Sequence, residues 1–265
     1  MSSALGSLLF RKTVQEEVMG NGLLIAEATA LPFACRKLEG NAVNIWLRFH
    51  HVPIATFPAR ETPRSVALLE NCRQLFPALV PVRHVMEVAL NNGNPITHPG
   101  ASLLNAGQIE AAKGDFFLYG QGMTPGVTRV IEAVDQERIA IGRAVGLELV
   151  TNAERLVRVG LSRPGADLYE TYCNSEVLPA VKGPSGIMDR YLTEDIPFGL
   201  VLWSSLARTL GVATPCVEGL IEIGSALCGK DFRARGITVE RLGIDGLDAL
   251  ELDRFLITGE RKEEL

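Results

Sequence analysis

The 265-residue chain contains few cysteines, and they are widely scattered. Their number is odd, no two of them form a C-x-x-C pair, and no histidine lies at the spacing of a zinc site. These features argue against a disulfide framework and against a metal site. The five residues are Cys35, Cys72, Cys173, Cys216 and Cys228.

Long apolar runs and an excess of basic residues are also missing. No run approaches the length of a membrane-spanning helix, and the first basic residues follow the short apolar patch that they would precede in a secretory signal. The formal net charge is -5, which provides no broad positive field for nucleic acid. Because 47% of the residues are apolar, we expect a globular protein with a sizeable core. The missing signal pattern, membrane span and positive charge lead us to expect a cytoplasmic protein that binds neither membranes nor nucleic acid.

No G-x-G-x-x-G motif occurs anywhere in the chain. Gly20 and Gly22 precede a strand-like run, whereas the dinucleotide-binding fingerprint follows a strand. Gly120 and Gly122 lack a third glycine at the required offset, and Thr124 after them is a helix cap. We interpret this second pair as part of a turn.

Residues 1–82 show strand-like and helix-like patterns in turn, as in an α/β domain. A first helix is predicted over residues 5–18. The predicted strands cover residues 23–28, 42–49 and 52–57. His50 and His51 would lie at a turn between the last two strands, and Thr62 with the proline after it begins another helix.

Strand signals nearly vanish in residues 83–265, where amphipathic helices predominate. The predicted helices cover residues 99–112, 124–146, 152–159, 197–210, 214–227 and 247–255. In the long helix that Thr124 caps, the apolar residues face inward and Asp135 faces outward. The pattern therefore predicts an α/β region in residues 1–82 and a mainly α-helical domain in residues 83–265.

A polar stretch at residues 91–99 reads N-N-G-N-P-I-T-H-P. We expect Pro99 to begin a helix, which would place His98 on its first turn. The asparagines before His98 suit turns and ligand contacts, and an imidazole titrates near neutral pH. His98 is therefore a candidate acid–base residue, and the alternative is a histidine that only caps a helix. The other three histidines, His50, His51 and His84, are predicted to be structural.

A second polar stretch at residues 190–197 reads R-Y-L-T-E-D-I-P. Arg190 offers a bidentate fork for a carboxylate, and Asp195 can hold an imidazole in one tautomer. The alternative is a local surface ion pair or a charge at a helix N terminus. Glu194 competes with Asp195, because spacing alone does not decide which carboxylate points inward.

Several ordered motifs together resemble the octopine/nopaline (opine) dehydrogenase family, over nearly the whole chain. They are residues 91–99, 104–107, 124–125, 130–135 and 190–201. The stretch at residues 24–36 is similar to the later part of that family's nucleotide-binding domain. The resemblance implies a Rossmann-like domain followed by an α-helical domain. It also implies reductive condensation of an amino acid with a 2-oxo acid, using NAD or NADP as the cofactor.

The same resemblance assigns roles to particular residues. It implies that His98, Asp195 and Arg190 are catalytic, with His98 as the acid–base group and Arg190 clamping a substrate carboxylate. Arg190, Asn94 and Thr97 are the candidate substrate-binding residues. Glu27 and Asn94 are the candidate cofactor-binding residues, since the family's glycine loop has no counterpart here.

Relative to the family pattern, the first βαβ unit with its glycine loop is missing, so residues 1–82 resemble a truncated Rossmann-like domain. Two hypotheses follow. The chain is an opine dehydrogenase-like oxidoreductase, or it is a catalytically inactive homologue that serves as a binding or oligomerisation module. A truncated sheet also exposes a strand edge, through which we expect self-association.

Overall fold

The computed structural model describes residues 5–14, 24–37 and 40–261. Two helices and five strands of the described residues occupy the first part, and helices predominate in the remainder. The early elements are α1 (Gly6–Thr13), β1 (Ile25–Ala28), β2 (Phe33–Lys37), β3 (Val43–Arg48), β4 (Val52–Phe57), α2 (Pro63–Leu75) and β5 (Leu79–Pro81).

The helical part consists of twelve further α-helices among the described residues, together with three short irregular helices. The helices are α3 (Val85–Leu90), α4 (Gly93–Leu104), α5 (Ala106–Ala112), α6 (Pro125–Ala144), α7 (Asn152–Arg158), α8 (Leu168–Cys173), α9 (Arg190–Thr193), α10 (Val201–Leu210), α11 (Pro215–Cys228), α12 (Phe232–Arg235), α13 (Val239–Leu242) and α14 (Ala249–Thr258). The irregular segments are two π-helical turns, Leu118–Gly122 and Ile196–Leu200, and a 3-10 turn, Leu178–Ala180.

Strand β4 is the centre of a three-stranded sheet with the order β1, β4, β5. It pairs antiparallel with β1, where Ile25 lies opposite Phe57, and parallel with β5, where Val52 lies opposite Leu79. All six residues of β4 are buried, as its uninterrupted run V-P-I-A-T-F predicts. Strands β2 and β3 form a separate antiparallel pair.

The hairpin predicted around His50 and His51 is therefore wrong. The two strands on either side of these histidines exist, but β3 pairs with β2 and β4 pairs with β1. The predicted first helix is present as α1, and its continuation over residues 15–18 lies outside the described residues. The strand patterns located β1, β3 and β4 but missed β2 and β5, and the pairing of strands depends on contacts between distant segments.

Helix α4 runs through the middle of the helical part, with every residue from Pro95 to Ser102 buried. It packs against α6, α9, α11 and the Ile196–Leu200 turn. The helix begins at Gly93 because the side chain of Asn92 accepts a hydrogen bond from the backbone N–H of Asn94 at 3.0 Å. The prediction that Pro99 begins this helix is thus wrong, and His98 lies in its interior.

A second correction concerns Asp135 on α6, which was expected to face outward. Only 3% of Asp135 is exposed, and its carboxylate binds Arg138, which is fully buried. The Arg138 guanidinium also donates to the backbone carbonyls of Leu90 at 3.0 Å and Val150 at 2.5 Å. This buried pair ties the end of α3 and the approach to α7 to the middle of α6, which a pattern of single-residue polarity does not reveal.

A small sheet region followed by a mostly helical domain is the fold class that the sequence predicts. The larger hydrophobic core contains Ala55 and Phe57 of β4 together with residues from nearly all the later helices. The two regions thus share a core, and the boundary between residues 82 and 83 stays a prediction. All five cysteines are free thiols. Within the described segments, no helix has both the length and the apolar character of a membrane span.

Candidate active site

His98 and Asp195 form a buried dyad. The Nδ1 atom of His98 lies 2.7 Å from Oδ2 of Asp195, and the exposed fractions of the two residues are 6% and 4%. An ionised carboxylate can only accept a hydrogen bond, so Nδ1 is the donor and carries the imidazole proton. The other ring nitrogen, Nε2, is then the acceptor that faces the cavity described below.

The packing of α4 against the Ile196–Leu200 turn brings these two residues together. A Cβ on Gly199 would lie 2.4 Å from Cγ of Pro95, so glycine is required for this close approach. Gly199 follows Asp195 by four residues, so the two lie on one face of their helical segment. Pro95 precedes His98 by three residues, so these two lie on one face of α4, and the two faces meet. The Gly199–Pro95 contact therefore sets the distance across which the dyad forms.

Two tyrosines fix the imidazole in place. The hydroxyl of Tyr119 lies 2.9 Å from Nε2 of His98, and the ring of Tyr191 stacks on the imidazole with centroids 3.6 Å apart and an interplanar angle of 5°. Burial raises the pKa of Tyr119 well above its ordinary value, and the neighbouring phenols of Tyr191 and Tyr172 add to this effect. The Tyr119 phenol thus stays protonated and donates to Nε2.

Arg190 lies at the beginning of α9, beside the dyad but on the surface of the protein. It is exposed, lines the same cavity as His98, and its Cζ atom lies 5.4 Å from the centroid of the Tyr191 ring. Among the described residues it has no salt-bridge partner. The competing carboxylate, Glu194, is exposed, whereas Asp195 is buried and hydrogen-bonded to His98, so Asp195 is the acid that points inward.

A buried polar network continues from Thr97, the residue before His98. The Thr97 hydroxyl lies 2.8 Å from the Tyr172 hydroxyl, and the amide nitrogen of Asn152 donates to both at 3.4 and 3.3 Å. The amide oxygen of Asn152 accepts from Nε and Nη2 of Arg155 at 3.0 and 2.9 Å. This network places the Arg155 guanidinium in the same cavity.

The cavity has a volume of about 1180 Å³ and extends from the dyad to the sheet region. His98, Tyr119, Arg155 and Arg190 line it on the helical side. Strand β1 lines it on the other side. The volume falls at or slightly above the upper end of the range for small-molecule sites in proteins.

Two further candidates from the sequence, Asn94 and Glu27, also line the cavity. Asn94 is half-buried near the beginning of α4. The carboxylate of Glu27 accepts hydrogen bonds from the backbone N–H groups of Gly6 at 3.1 Å and Ser7 at 2.5 Å, at the N terminus of α1. Burial raises the pKa of Glu27, while the bonds from Ser7 and Gly6 oppose this rise. The Glu27 carboxylate thus caps the N terminus of α1.

Sequence reasoning did not single out Tyr119, Tyr172 or Arg155 as site residues. The chain contains only four tyrosines, and three of them, including Tyr191, surround His98. The scarcity of tyrosine was therefore a usable signal. No comparable signal marked Arg155, because it is one of many arginines on amphipathic helices.

Chemically, the arrangement can transfer a proton at Nε2 of His98 and bind an anion. Asp195 orients the imidazole and stabilises its protonated form, as an acid does beside a catalytic histidine. Arg155 and Arg190 supply positive charge to the same cavity. A small carboxylic acid that exchanges a proton during reaction is the ligand class that fits these groups.

Comparison with known proteins agrees with this chemistry. Residues 81–228 match the model of the NAD/NADP octopine/nopaline dehydrogenase alpha-helical domain, and this segment contains His98, Arg190 and Asp195. The chain belongs to the octopine/nopaline dehydrogenase family. It is 33% identical over 247 residues to an opine dehydrogenase from an Arthrobacter species, a match that covers 92% of this chain and 66% of that enzyme.

Two solved structures of octopine/nopaline dehydrogenase relatives have the same fold. Octopine dehydrogenase in complex with NADH and agmatine superimposes with a TM-score of 0.71 at 20% identity, covering 91% of this chain and 66% of that one. Yersinopine dehydrogenase with bound NADP+ gives a TM-score of 0.64 at 12% identity, covering 97% and 70%. The chain spans 66% of the Arthrobacter enzyme and between 58% and 64% of four other relatives.

Proposed function

We propose that this protein acts in the NAD(P)H-dependent reductive condensation of an amino acid with a 2-oxo acid. The observation that carries the proposal is the buried His98–Asp195 dyad. His98 and Arg190 line the same cavity, and the second ring nitrogen of His98, Nε2, is hydrogen-bonded to the Tyr119 hydroxyl. Membership of the octopine/nopaline dehydrogenase family supports the same reaction class. An inactive binding or oligomerisation module would not need an intact proton-transfer pair.

His98 is the proposed acid–base group at two points. Its Nε2 first accepts a proton from the ammonium group of the amino acid, and the resulting amine attacks the carbonyl carbon of the 2-oxo acid. The imidazolium then returns the proton to the hydroxyl group of the adduct, which leaves as water to form an imine. Reduction of the imine to a secondary amine dicarboxylic acid would then take one hydride, which a bound NAD(P)H would supply, and one proton from solvent, so that NAD(P)+ and one water are the other products.

The neighbours of His98 have positioning roles in this scheme. Asp195 holds Nδ1–H and stabilises the imidazolium, and Tyr191 fixes the plane of the ring by stacking. Tyr119 donates to Nε2 when no substrate is present and can turn its hydroxyl to the substrate oxygen when Nε2 takes up a proton. His98 can therefore either accept a proton from the substrate or donate one to it while Tyr119 stays hydrogen-bonded.

Substrate binding is assigned to residues around the dyad. Arg190 clamps a substrate carboxylate, because its guanidinium lines the cavity and forms no salt bridge with any described residue. Asn94 and Thr97 line the same cavity and belong to the proposed substrate site. The Thr97 hydroxyl is also hydrogen-bonded to the Tyr172 hydroxyl, so in this proposal Thr97 both contacts the substrate and positions Tyr172.

The residues present fit one end of a nicotinamide cofactor. Ala26 and Ala28 of strand β1 and the following Thr29 line the cavity, and these small side chains would border a flat ring bound on that side. A bound NAD(P)H supplies a hydride to the imine carbon. Asn94 is the polar side chain best placed to contact the cofactor, because Glu27 is occupied at α1. The chain has no G-x-G-x-x-G motif to bind the pyrophosphate.

We assign residues 1–82 to the cofactor side of the cavity and residues 83–265 to the substrate side. The test is a mixture of the purified chain with NADH or NADPH, a panel of amino acids and a panel of 2-oxo acids. We expect NAD(P)H consumption only when both substrates are present, together with a product whose mass equals the condensed and reduced pair. Saturable quenching of NAD(P)H fluorescence measures cofactor binding separately. Absence of turnover in every combination would contradict the proposed function.

A further inference from the structure

Arg155 is a positively charged group in the cavity for which the described residues provide no carboxylate. It lies on α7 and is partly buried, and its Nε and Nη2 atoms both donate to a neutral amide oxygen, that of Asn152. The Nη1 atom has no hydrogen-bond partner among the residues that the structure describes. By contrast, the fully buried Arg138 nearby is paired with Asp135. A buried charge without a counterion is costly unless a ligand supplies one.

The position of the guanidinium is built into the backbone. A Cβ added to Gly93 would lie 2.1 Å from Cζ of Arg155, so the guanidinium lies directly against the glycine. Asn152 accepts hydrogen bonds from the other edge of the guanidinium. The backbone N–H of Asn152 donates to the Asp135 carboxylate at 2.6 Å, which fixes the position of Asn152. The Arg155 guanidinium is therefore held by its contact with Gly93 and by two hydrogen bonds to Asn152, unlike an exposed arginine on a solvated helix face.

We propose that Arg155 binds a carboxylate of the substrate, so that the two carboxylates of the condensed product are held by Arg155 and Arg190. This inference rests on the proposed function, because only a condensed amino acid and 2-oxo acid bring two carboxylates into one cavity. Arg190 is exposed at the rim, whereas Arg155 lies deeper and is oriented in advance by Asn152. The deeper residue discriminates acids from neutral analogues more strongly, because it has no other counterion.

The electrostatics of the site agree with an anionic ligand. Burial lowers the pKa of Arg155 below its ordinary value and the neighbouring Arg138 adds to this effect, while Tyr172, Asp135 and Tyr119 oppose it. Arginine still remains charged at neutral pH. A ligand carboxylate would offset both the lost hydration and the repulsion, and it would occupy the free Nη1 donor.

The experiment measures binding without requiring turnover. Calorimetry compares N-(1-carboxyethyl)alanine with its two mono-amides, in which one or the other carboxylate is neutral, with and without NADH. The variants are Arg155→Met and Arg190→Met. The control is Arg143→Met, which removes an exposed arginine of α6 that does not line the cavity. Thermal melting checks that each variant is folded.

We expect the wild-type chain to prefer the dicarboxylate over both mono-amides. Arg155→Met should lose about tenfold to a hundredfold in affinity for the dicarboxylate, and it should lose its preference at one carboxylate only. Arg190→Met should lose the preference at the other carboxylate, and Arg143→Met should keep both. Gly93→Ala, whose new methyl group displaces the guanidinium, should behave like Arg155→Met and replaces it if that variant does not fold.

Three results would overturn the role of Arg155. They are no binding of the dicarboxylate by the wild-type chain, retention of both preferences by Arg155→Met, and equal weakening of all three ligands by that variant. Because the readout is affinity, it is separate from the proposed function. Binding that follows the expected pattern with no turnover would support the carboxylate site and count against the reaction.

Discussion

The imidazole of His98 and the carboxylate of Asp195 meet at 2.7 Å although they lie 97 positions apart in the chain. The Nδ1–H of His98 donates to Oδ2 of Asp195, and Tyr119 contacts the opposite nitrogen. Both dyad residues are buried, while the competing Glu194 is exposed. Asp195 therefore selects the tautomer of the imidazole, while Tyr119 and Tyr191 also hold the ring in place.

The first prediction concerns this carboxylate. Asp195→Asn should keep the fold but lower turnover by about 10² to 10⁴, because an amide N–H facing Nδ1 favours the tautomer with its proton on Nε2. The measurement is the steady-state rate of NAD(P)H oxidation with both substrates. Glu194→Gln is the matched control and should retain the wild-type rate. Similar rates for the two variants would show that Asp195 does not act through His98.

The second prediction concerns the buried Arg138–Asp135 pair. Arg138→Met should lower the free energy of unfolding by about 3–5 kcal/mol, because it leaves the Asp135 carboxylate buried without its partner. Denaturant unfolding measures the change. Arg129→Met, on the exposed side of the same helix, should change it by less than about 0.5 kcal/mol. Equal effects would mean that the pair does not hold α3, α6 and α7 together.

The third prediction is a pH dependence of stability through His84, which is only 1% exposed. Burial lowers the pKa of His84 below its ordinary value of 6.5. The nearby Asp253, whose oxygen lies 3.3 Å from Nε2 without hydrogen-bond geometry, opposes this shift, and Arg83 adds to it. The unfolded chain then takes up a proton that the folded chain does not, so this contribution is fully present above 6.5 and is lost as pH falls below it.

His84→Gln removes this titration. Thermal or denaturant unfolding across pH 5 to 8 should therefore show a smaller loss of stability on acidification for the variant than for the wild-type chain. The comparison is needed because burial also lowers the pKa of His51, which likewise destabilises the fold as pH falls through this range. Parallel curves for the two proteins would contradict the assignment to His84.

The fourth prediction is self-association through the sheet region. Strand β3 pairs only with β2 among the described strands, and its Val43 and Ile45 side chains are 56% and 48% exposed. We expect concentration-dependent association in light scattering, which Val43→Lys with Ile45→Lys should reduce, since charged side chains block edge pairing. A monodisperse monomer at all concentrations would contradict the prediction.

The sequence predicts those features that depend on local patterns. Thr124 caps α6, Thr62 caps α2, and residues 52–57 form a strand, all as expected. The features that it does not predict depend on distant contacts. The inward direction of Asp195 depends on the Gly199–Pro95 packing, and the burial of Asp135 depends on Arg138.

The candidate site shows the same division. His98, Arg190 and Asp195 stand out as polar residues in short motifs. In the structure His98 and Arg190 line one cavity, and Asp195 is hydrogen-bonded to His98 behind it. The beginning of α4 was misplaced because Asn92, and not Pro99, supplies the cap. Arg155 went unnoticed because its significance depends on Gly93 and on the cavity, both of which reach its guanidinium only in the folded chain.

The central claim is that His98 transfers the proton in the condensation, and the most direct measurement is the turnover of His98→Asn. With saturating cofactor, amino acid and 2-oxo acid, we predict a rate at least about 10² below that of the wild-type chain, with unchanged thermal stability. A His98→Asn protein that keeps the wild-type rate would contradict the claim.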